Sequence, residues 1–344
     1  MGGLREVKGL MVGRRWVVWC SIILLLSACT LPTHEASGID SGAPRRLVIY
    51  SGRSEILVAP LIEQFKQQTG IDVRVRWGGT AELAATLLEE GNNSPADVFF
   101  AQDPGGLGAL AGKFSSLPED ILGRVDSRFR DPQGEWVGIS GRARVVVYNT
   151  ERLTSTALPA DLWDFVEPKW QGRIGWPPTN ASFQTMVTAM RIVWGEEKTR
   201  EWLEGVLANK PVAYENNMST VAAVAAGEVD VGFVNHYYLF RFLTEEGASF
   251  PVRNYFMPGG GPGSLVMVAG AAVLATAQHV DEAHEFLRFL LSDESQNYFA
   301  KTTFEYPLVA GVSADPRLQP LAELNALDID LADLADLQGT IQLL

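Results

Sequence analysis

The chain has 344 residues, with 28 Lys and Arg against 41 Asp and Glu, and a formal charge of −13. So acidic a surface argues against nucleic acid as a partner. The two cysteines, Cys20 and Cys29, are too few for a thiolate metal cluster or a disulfide framework.

In chain order, Arg5, Lys8, Arg14 and Arg15 form a basic start, and Trp16 to Leu26 an apolar stretch too short to span a bilayer comfortably. It ends in Leu26-Ser27-Ala28-Cys29, a pattern that resembles the bacterial lipobox. Residues 1–28 are therefore expected to be a lipoprotein signal peptide, with Cys29 lipidated as the new N-terminus. An uncleaved membrane anchor is the alternative, and Arg14-Arg15 leave the twin-arginine export route open. Residues 29–45 are poor in apolar groups and read as a flexible tether. Removing 28 residues also removes Cys20, so no intramolecular disulfide is expected.

R-L-V-I-Y-S-G (46–52) reads as a buried strand. Ile56, Leu57, Leu61, Ile62 and Phe65 then recur at helical spacing, and Thr69-Gly70 stops that helix. I-D-V-R-V-R-W (71–77) alternates with period two, as a strand does. A helix over 81–91, a strand over 96–101 and a short helix from Leu107 follow. This alternation predicts an open, largely parallel sheet covered by helices. The pattern resumes with a strand over 142–149, helices over 179–194, 199–207 and 219–227, and a strand over 229–234. The apolar run 264–274 is long enough to cross between two lobes, and 281–292 is an amphipathic helix. Two α/β lobes with a cleft between them are the expected architecture.

Two glycine-rich stretches invite a nucleotide reading. Gly106-Leu107-Gly108 meets Ala111 where a dinucleotide fingerprint wants a third glycine, and M-P-G-G-G-P-G-S (257–264) lacks the P-loop ending. His279 and His284 are five apart, so they do not share a helical face as metal-ligand pairs do. Neither H-E-x-x-H nor G-x-S-x-G occurs.

The stretch V-N-H-Y-Y (234–238) holds adjacent phenols, Tyr237 and Tyr238, just after a strand. Packing is one reading of such a pair. The other is ligation, because ligands in open α/β sheets bind at the carboxyl ends of strands. Neighbouring residues of a continued strand point to opposite faces, so both phenols converge only if the backbone turns there. A free phenol ionises near pH ~10. Two phenolates at neutral pH therefore require a strong Lewis acid, and Fe3+ suits them.

V-N-H-Y-Y resembles the iron-ligand motif of the ferric-ion-binding proteins, the substrate-binding components of ABC-type iron(III) importers. The likeness extends through I-Y-S-G-R (49–53), S-P-A-D-V-F-F-A-Q-D (94–103), G-I-S-G-R-A-R-V-V-V-Y-N (138–149), G-W-P-P-T-N-A-S-F (175–183), A-A-G-E-V-D (225–230) and E-Y-P-L-V-A-G-V (305–312). It implies a two-lobed, type II-like, transferrin-like α/β periplasmic-binding-protein fold. It implies Tyr237 and Tyr238 as metal ligands and carbonate or phosphate as a synergistic anion, on Asn180, Ala181, Ser182, Asn217 and Asn235. Thr179-Asn180 stands at an expected helix start, where exposed N–H groups attract anions or where asparagine simply caps.

Where many members of that family carry a histidine or tyrosine and then a glutamate, this chain has Ser54 and Gln102. Ser54, Gln102, Asp103 and His236 are therefore candidates to complete the metal site, with Arg53 and Arg142 as possible anion partners. The resemblance also implies a monomer that docks on a membrane permease, outside the cytoplasm. The lobes are expected over 46–140 plus 267–317 and over 141–266 plus 318–344. One rival ligand is a phosphonate or another small anion, with the phenols donating hydrogen bonds. A further rival is an exported hydrolase using a carboxylate pair such as Asp97 and Asp103.

Overall fold

A computed structural model describes residues 45–344. The leader, Cys29 and most of the tether lie outside the described residues. The first lobe opens with β1 (Arg46–Ser51), α1 (Glu55–Thr69), β2 (Asp72–Trp77), α2 (Thr80–Glu90) and β3 (Val98–Ala101). β1 pairs in parallel with both β2 and β3, as the alternation of periods two and 3.6 requires. α1 buries Leu57, Val58, Leu61, Ile62 and Phe65, and Gly70 ends it in the left-handed region at φ 71°. Phe65 meets Phe286 edge-on at 5.1 Å, which ties α1 to a helix from the far end of the chain.

Next come α3 (Pro104–Gly108) and α4 (Glu119–Leu122). The sequence placed the start of α3 near Leu107. Asp103 moves it upstream, because its side chain caps the helix by accepting from the Gly106 N–H and Pro104 suits the first turn.

β4 (Trp136–Asn149) runs 14 residues, longer than the expected 142–149. It is buried almost throughout because it belongs to two sheets. Trp136 to Ala143 pair with β9 (Val266–Val273) in the first lobe. Arg144 to Asn149 turn to second-lobe partners, β7 (Val231–Asn235) and β8 (Val252–Tyr255). The change of partner between Ala143 and Arg144 marks one crossing of the chain, and the start of β9 marks the return.

The second lobe is completed by β5 (Ile174–Trp176), α5 (Ala181–Trp194), α6 (Glu196–Ala208), β6 (Val212–Ala213), α7 (Asn217–Ala226) and α8 (Tyr238–Glu246). β5 pairs in parallel with both β6 and β7. Its core gathers Phe165, Trp170, Phe183, Trp202 and Phe233 on one side of the sheet. Val145, Val147, Val221 and Val224 pack on the other. After β9 the chain returns to the first lobe as α9 (Val280–Leu290), α10 (Asp293–Tyr298) and β10 (Tyr306–Pro307).

The segment beyond residue 317 divides between the lobes. Leu318, Leu331 and Leu334 enter the first core. The last helix, α11 (Leu337–Leu343), lies on α5 in the second lobe. There Thr340 and Thr188 share a hydroxyl hydrogen bond of 2.7 Å, and Arg191 donates to the Asp336 carboxylate at 2.9 Å. The approach to α3 is tight, since a Cβ on Gly108 would lie 2.2 Å from that of Ala335.

Gly108→Val is therefore expected to lift the C-terminal segment from α3 and to destabilise the protein by about 1–3 kcal/mol, as overpacking does. Chemical denaturation measures the loss, and limited proteolysis should cut first within the displaced segment.

Candidate functional site

The candidate residues stand where parallel strands end. Arg53 follows the end of β1, Gln102 and Asp103 follow β3, Asn180 follows β5, and Tyr237 follows β7. Such strand ends are the usual seat of ligands in open α/β sheets. Gly52 makes one of these turns possible, because a Cβ there would collide with Thr80 at 2.2 Å.

The backbone does turn after β7. Tyr237 has helical dihedrals (φ −72°, ψ −21°) and α8 begins at Tyr238. The two rings consequently lie on one side, stacked with centroids 4.3 Å apart and planes 28° from parallel. Tyr237 is fully buried, and its hydroxyl finds no hydrogen-bond partner among the described residues. Burial first, and then the neighbouring Tyr238, hold this phenol well above its ordinary pKa, against the pull of Arg142 and Arg53. It is neutral at neutral pH unless a cation sits beside it.

Three arginines are buried around this pair. Arg53 donates through Nη2 to both carboxylate oxygens of Glu305, at 2.9 and 2.7 Å. Thr303 donates to the same carboxylate at 3.0 Å. Burial works against the Arg53 charge, but Glu305 outweighs it and keeps the group above its ordinary value. Arg142 donates to the Val268 carbonyl at 3.3 Å. Arg144 donates to the Asn235 side-chain carbonyl at 3.0 Å. Burial, with the repulsion of Arg142 added, lowers Arg144 to about 9, still cationic at neutral pH.

The five residues expected around an anion form one connected cluster. Asn180 caps α5 by accepting from the Ser182 N–H at 3.1 Å. Asn217 does not cap α7; Asn216 does, with Ser219 completing a capping box. Asn217 instead donates to the Asn180 side chain at 3.1 Å and accepts from the Asn235 N–H at 3.1 Å. Asn235 donates in turn to the Ser182 hydroxyl at 3.0 Å. Ala181 opens α5 between two of these residues.

His236 requires a correction. Its Nδ1 accepts from the Ala143 N–H at 3.1 Å, which fixes the tautomer, and its Nε2–H donates to the Phe304 carbonyl at 2.8 Å. Both ring nitrogens are spent on backbone, so neither is available to a metal. The ring also packs against Tyr306 at 4.8 Å. His236 thereby ties the tyrosine turn to the E-Y-P segment of the other lobe.

Asp97 is likewise committed. It accepts from the N–H groups of Val48, Gln278 and His279 and contacts the His279 ring at 3.0 Å. It cannot serve in a carboxylate pair with Asp103 without dismantling that corner. Asp103 remains a candidate, since it is buried and one carboxylate oxygen has no partner among the described residues. Burial raises its pKa, against Arg142 and the backbone amides of Gly106 and Gly105. Ser54 is exposed and Gln102 half-buried beside the same strand ends. Among the described residues, no group of three or more His, Cys, Asp or Glu side chains is arranged to hold a metal ion.

Two residues escape the sequence reading. Arg144 lies two positions from Arg142 in the same strand, and that period-two spacing is the signal that could have paired them. Glu305 is 252 residues from its partner Arg53, and no local pattern links them.

A two-lobed α/β protein with polar residues and buried arginines gathered near its strand ends has the architecture of a ligand-binding receptor. Residues 93–333 match the family model described as bacterial extracellular solute-binding protein. The chain is 34% identical to the Fe(3+)-binding periplasmic protein of Serratia marcescens, over 87% of this chain and 88% of that one. It is 33% identical to the major ferric iron-binding protein of Neisseria meningitidis serogroup B, covering 93% and 96%. The structure of iron-bound HitA from Pseudomonas aeruginosa superposes with a TM-score of 0.83 at 36% identity, covering 87% of this chain and 98% of that one. The chain belongs to the ferric-ion-binding protein family.

Glu305→Gln is expected to cost about 3–5 kcal/mol, because it leaves the Arg53 guanidinium buried without its counter-charge. The double replacement Arg53→Met, Glu305→Leu should recover most of that loss. Urea denaturation of the two variants tests both expectations.

Proposed function

We propose that the protein captures Fe3+ outside the cytoplasm and delivers it to an ABC-type permease, with Tyr237 and Tyr238 as the phenolate ligands. One observation carries this reading: two phenols stack at the end of β7, and the buried Tyr237 hydroxyl has no protein partner among the described residues. A trivalent cation supplies what both phenols need in order to ionise. The printed descriptions of the relatives, as ferric iron-binding proteins, favour iron over other hard cations.

Two phenolates leave one positive charge on the metal. A carbonate or phosphate balances it, held between the Asn180, Ala181, Ser182, Asn217 and Asn235 cluster and the arginines Arg53 and Arg142. Asp103, Gln102 and Ser54, which follow the ends of neighbouring strands, are the side chains left to fill a remaining metal position. The protein acts as a monomer whose lobes close over the ion. It performs no turnover, and the committed state of Asp97 supports that reading over a hydrolase. A rival in which the cleft binds a phosphonate or other anion alone, with the phenols as donors, draws its support from the buried guanidinium groups.

The absorption spectrum after addition of ferric citrate separates the two. Wild type should develop a phenolate-to-iron band. Tyr237→Phe, Tyr238→Phe should lose it together with at least ~100-fold in iron affinity, more than a supporting residue of a metal site costs. Iron affinity retained by the double variant would overturn the assignment.

The acylated Cys29 anchors the protein to the membrane through its N-terminal lipid. Cys29→Ser should move it from the detergent-soluble membrane fraction to the soluble one, measured by fractionation and mass of the N-terminal peptide. Unchanged fractionation would count against lipidation.

A further inference from the structure

Two non-glycine residues among those described have a left-handed backbone, Lys210 at φ 50° and Phe304 at φ 57°. Lys210 is exposed, just past the end of α6. Phe304 is buried, directly after a π-helical turn, Phe299–Thr303. A buried left-handed residue of this bulk and a π-helical turn are both uncommon, and both concentrate at functional sites. Glycine would close such a turn without strain. Phenylalanine stands there instead, so its ring contributes something that glycine lacks.

Backbone and ring of Phe304 reach the two sides of the tyrosine pair. The carbonyl accepts from the His236 Nε2–H at 2.8 Å, one residue before Tyr237. The ring stacks on Phe240 at 5.0 Å, with planes 22° from parallel, two residues after Tyr238. The Arg317 guanidinium lies over the same ring, 4.6 Å from its centroid. The first lobe pins the backbone on both sides of Phe304. The N–H groups of Phe304 and Glu305 both donate to the Phe299 carbonyl, and the Glu305 carboxylate is held by Arg53 and Thr303.

From this we infer that Phe304 is a positioning residue for Tyr237 and Tyr238. With the chain pinned at Phe299 and Glu305, leaving the left-handed region would carry the Phe304 ring and carbonyl away from their partners. His236 and Phe240 bracket the turn after β7, so holding both fixes the direction in which the two phenols project. Phe304 acts through these two neighbours and not on a ligand. Its strain persists because the Glu305–Arg53 pair and the π-helical turn over-determine the corner. This role presupposes the tyrosines as the ligand pair proposed above, yet it shows in the metal-free protein.

The test is amide hydrogen exchange of metal-free, chelator-treated protein, read by mass spectrometry, followed by ferric citrate titration of the same samples. Phe304→Gly keeps the backbone without strain and removes the ring. It should speed exchange across residues 234–242 by at least ~10-fold while α1 exchanges as in wild type. A ring that only filled the core would instead speed exchange throughout the first lobe, in step with lost stability. Phe304→Leu keeps an apolar body but no flat ring, so it should fall between wild type and glycine, and it serves if the glycine variant does not fold. Phe240→Ala should reproduce the glycine result, and the double variant should exchange no faster than either single one, since the same contact is lost once. In the ferric arm Phe304→Gly should weaken iron by about 10-fold, the low end of what an outer partner of a metal site costs. Unchanged exchange over 234–242 in both Phe304 variants, faster exchange shared equally by α1, or wild-type iron affinity in a variant whose exchange there has risen would each overturn the role. A wild type that gives no iron band, with the exchange response intact, sinks the iron reading alone and leaves the positioning of the pair supported.

Discussion

Charge carried into the interior is the constraint on which this site depends. β4 is shared by both lobes, so its middle residues cannot reach solvent, and two of them are arginines. Burying a guanidinium costs several kcal/mol unless hydrogen bonds and counter-charge offset it. The protein meets that requirement unevenly. Arg53 receives the Glu305 carboxylate as counter-charge, through Nη2 alone, while Arg142 and Arg144 receive one neutral acceptor each from the protein. This also puts positive charge beside Tyr237, where Arg142 and Arg53 pull against the burial that raises its pKa.

The same crossing sets the mechanics. Where β4 changes partners, the His236 N–H donates to the Ala143 carbonyl and the His236 ring accepts from the Ala143 N–H. Its other ring nitrogen reaches the Phe304 carbonyl of the first lobe. The Phe304 ring stacks on Phe240 of α8 at 5.0 Å. The helix that carries the tyrosines is therefore anchored on both sides of the crossing. Preorganisation of this kind lowers the entropy lost when the ligand is gripped.

Much of the frame was legible in the sequence because the physics behind it is local. The switch between periods two and 3.6 located β1, α1, β2 and α2, and Gly70 and Gly227 stopped their helices in the left-handed region, both at φ 71°. The tyrosine pair was legible because adjacent phenols at a strand end are an unusual arrangement with few uses. Long-range pairing was not legible. Glu305 meets Arg53 only after the chain has built both lobes and returned. His236 read as a metal candidate because Ser54 and Gln102 leave the metal site incomplete, and only the fold shows both its nitrogens committed to backbone. The split course of the last segment depends on how closely Ala335 approaches Gly108, a contact without local signature.

The departures at Ser54 and Gln102 gain a physical meaning from these contacts. Neither side chain carries charge, so neither compensates a trivalent ion. A site that drops anionic protein ligands must take its negative charge from elsewhere. Arg53, beside Ser54, is already neutralised by Glu305 and adds no net charge to the balance. Arg142 and Arg144 do add charge, and they do so where the asparagine cluster of the second lobe meets the shared strand. Uncharged side chains at Ser54 and Gln102 thus occur in one protein with buried guanidinium groups, Arg142 and Arg144, that no carboxylate pairs among the described residues.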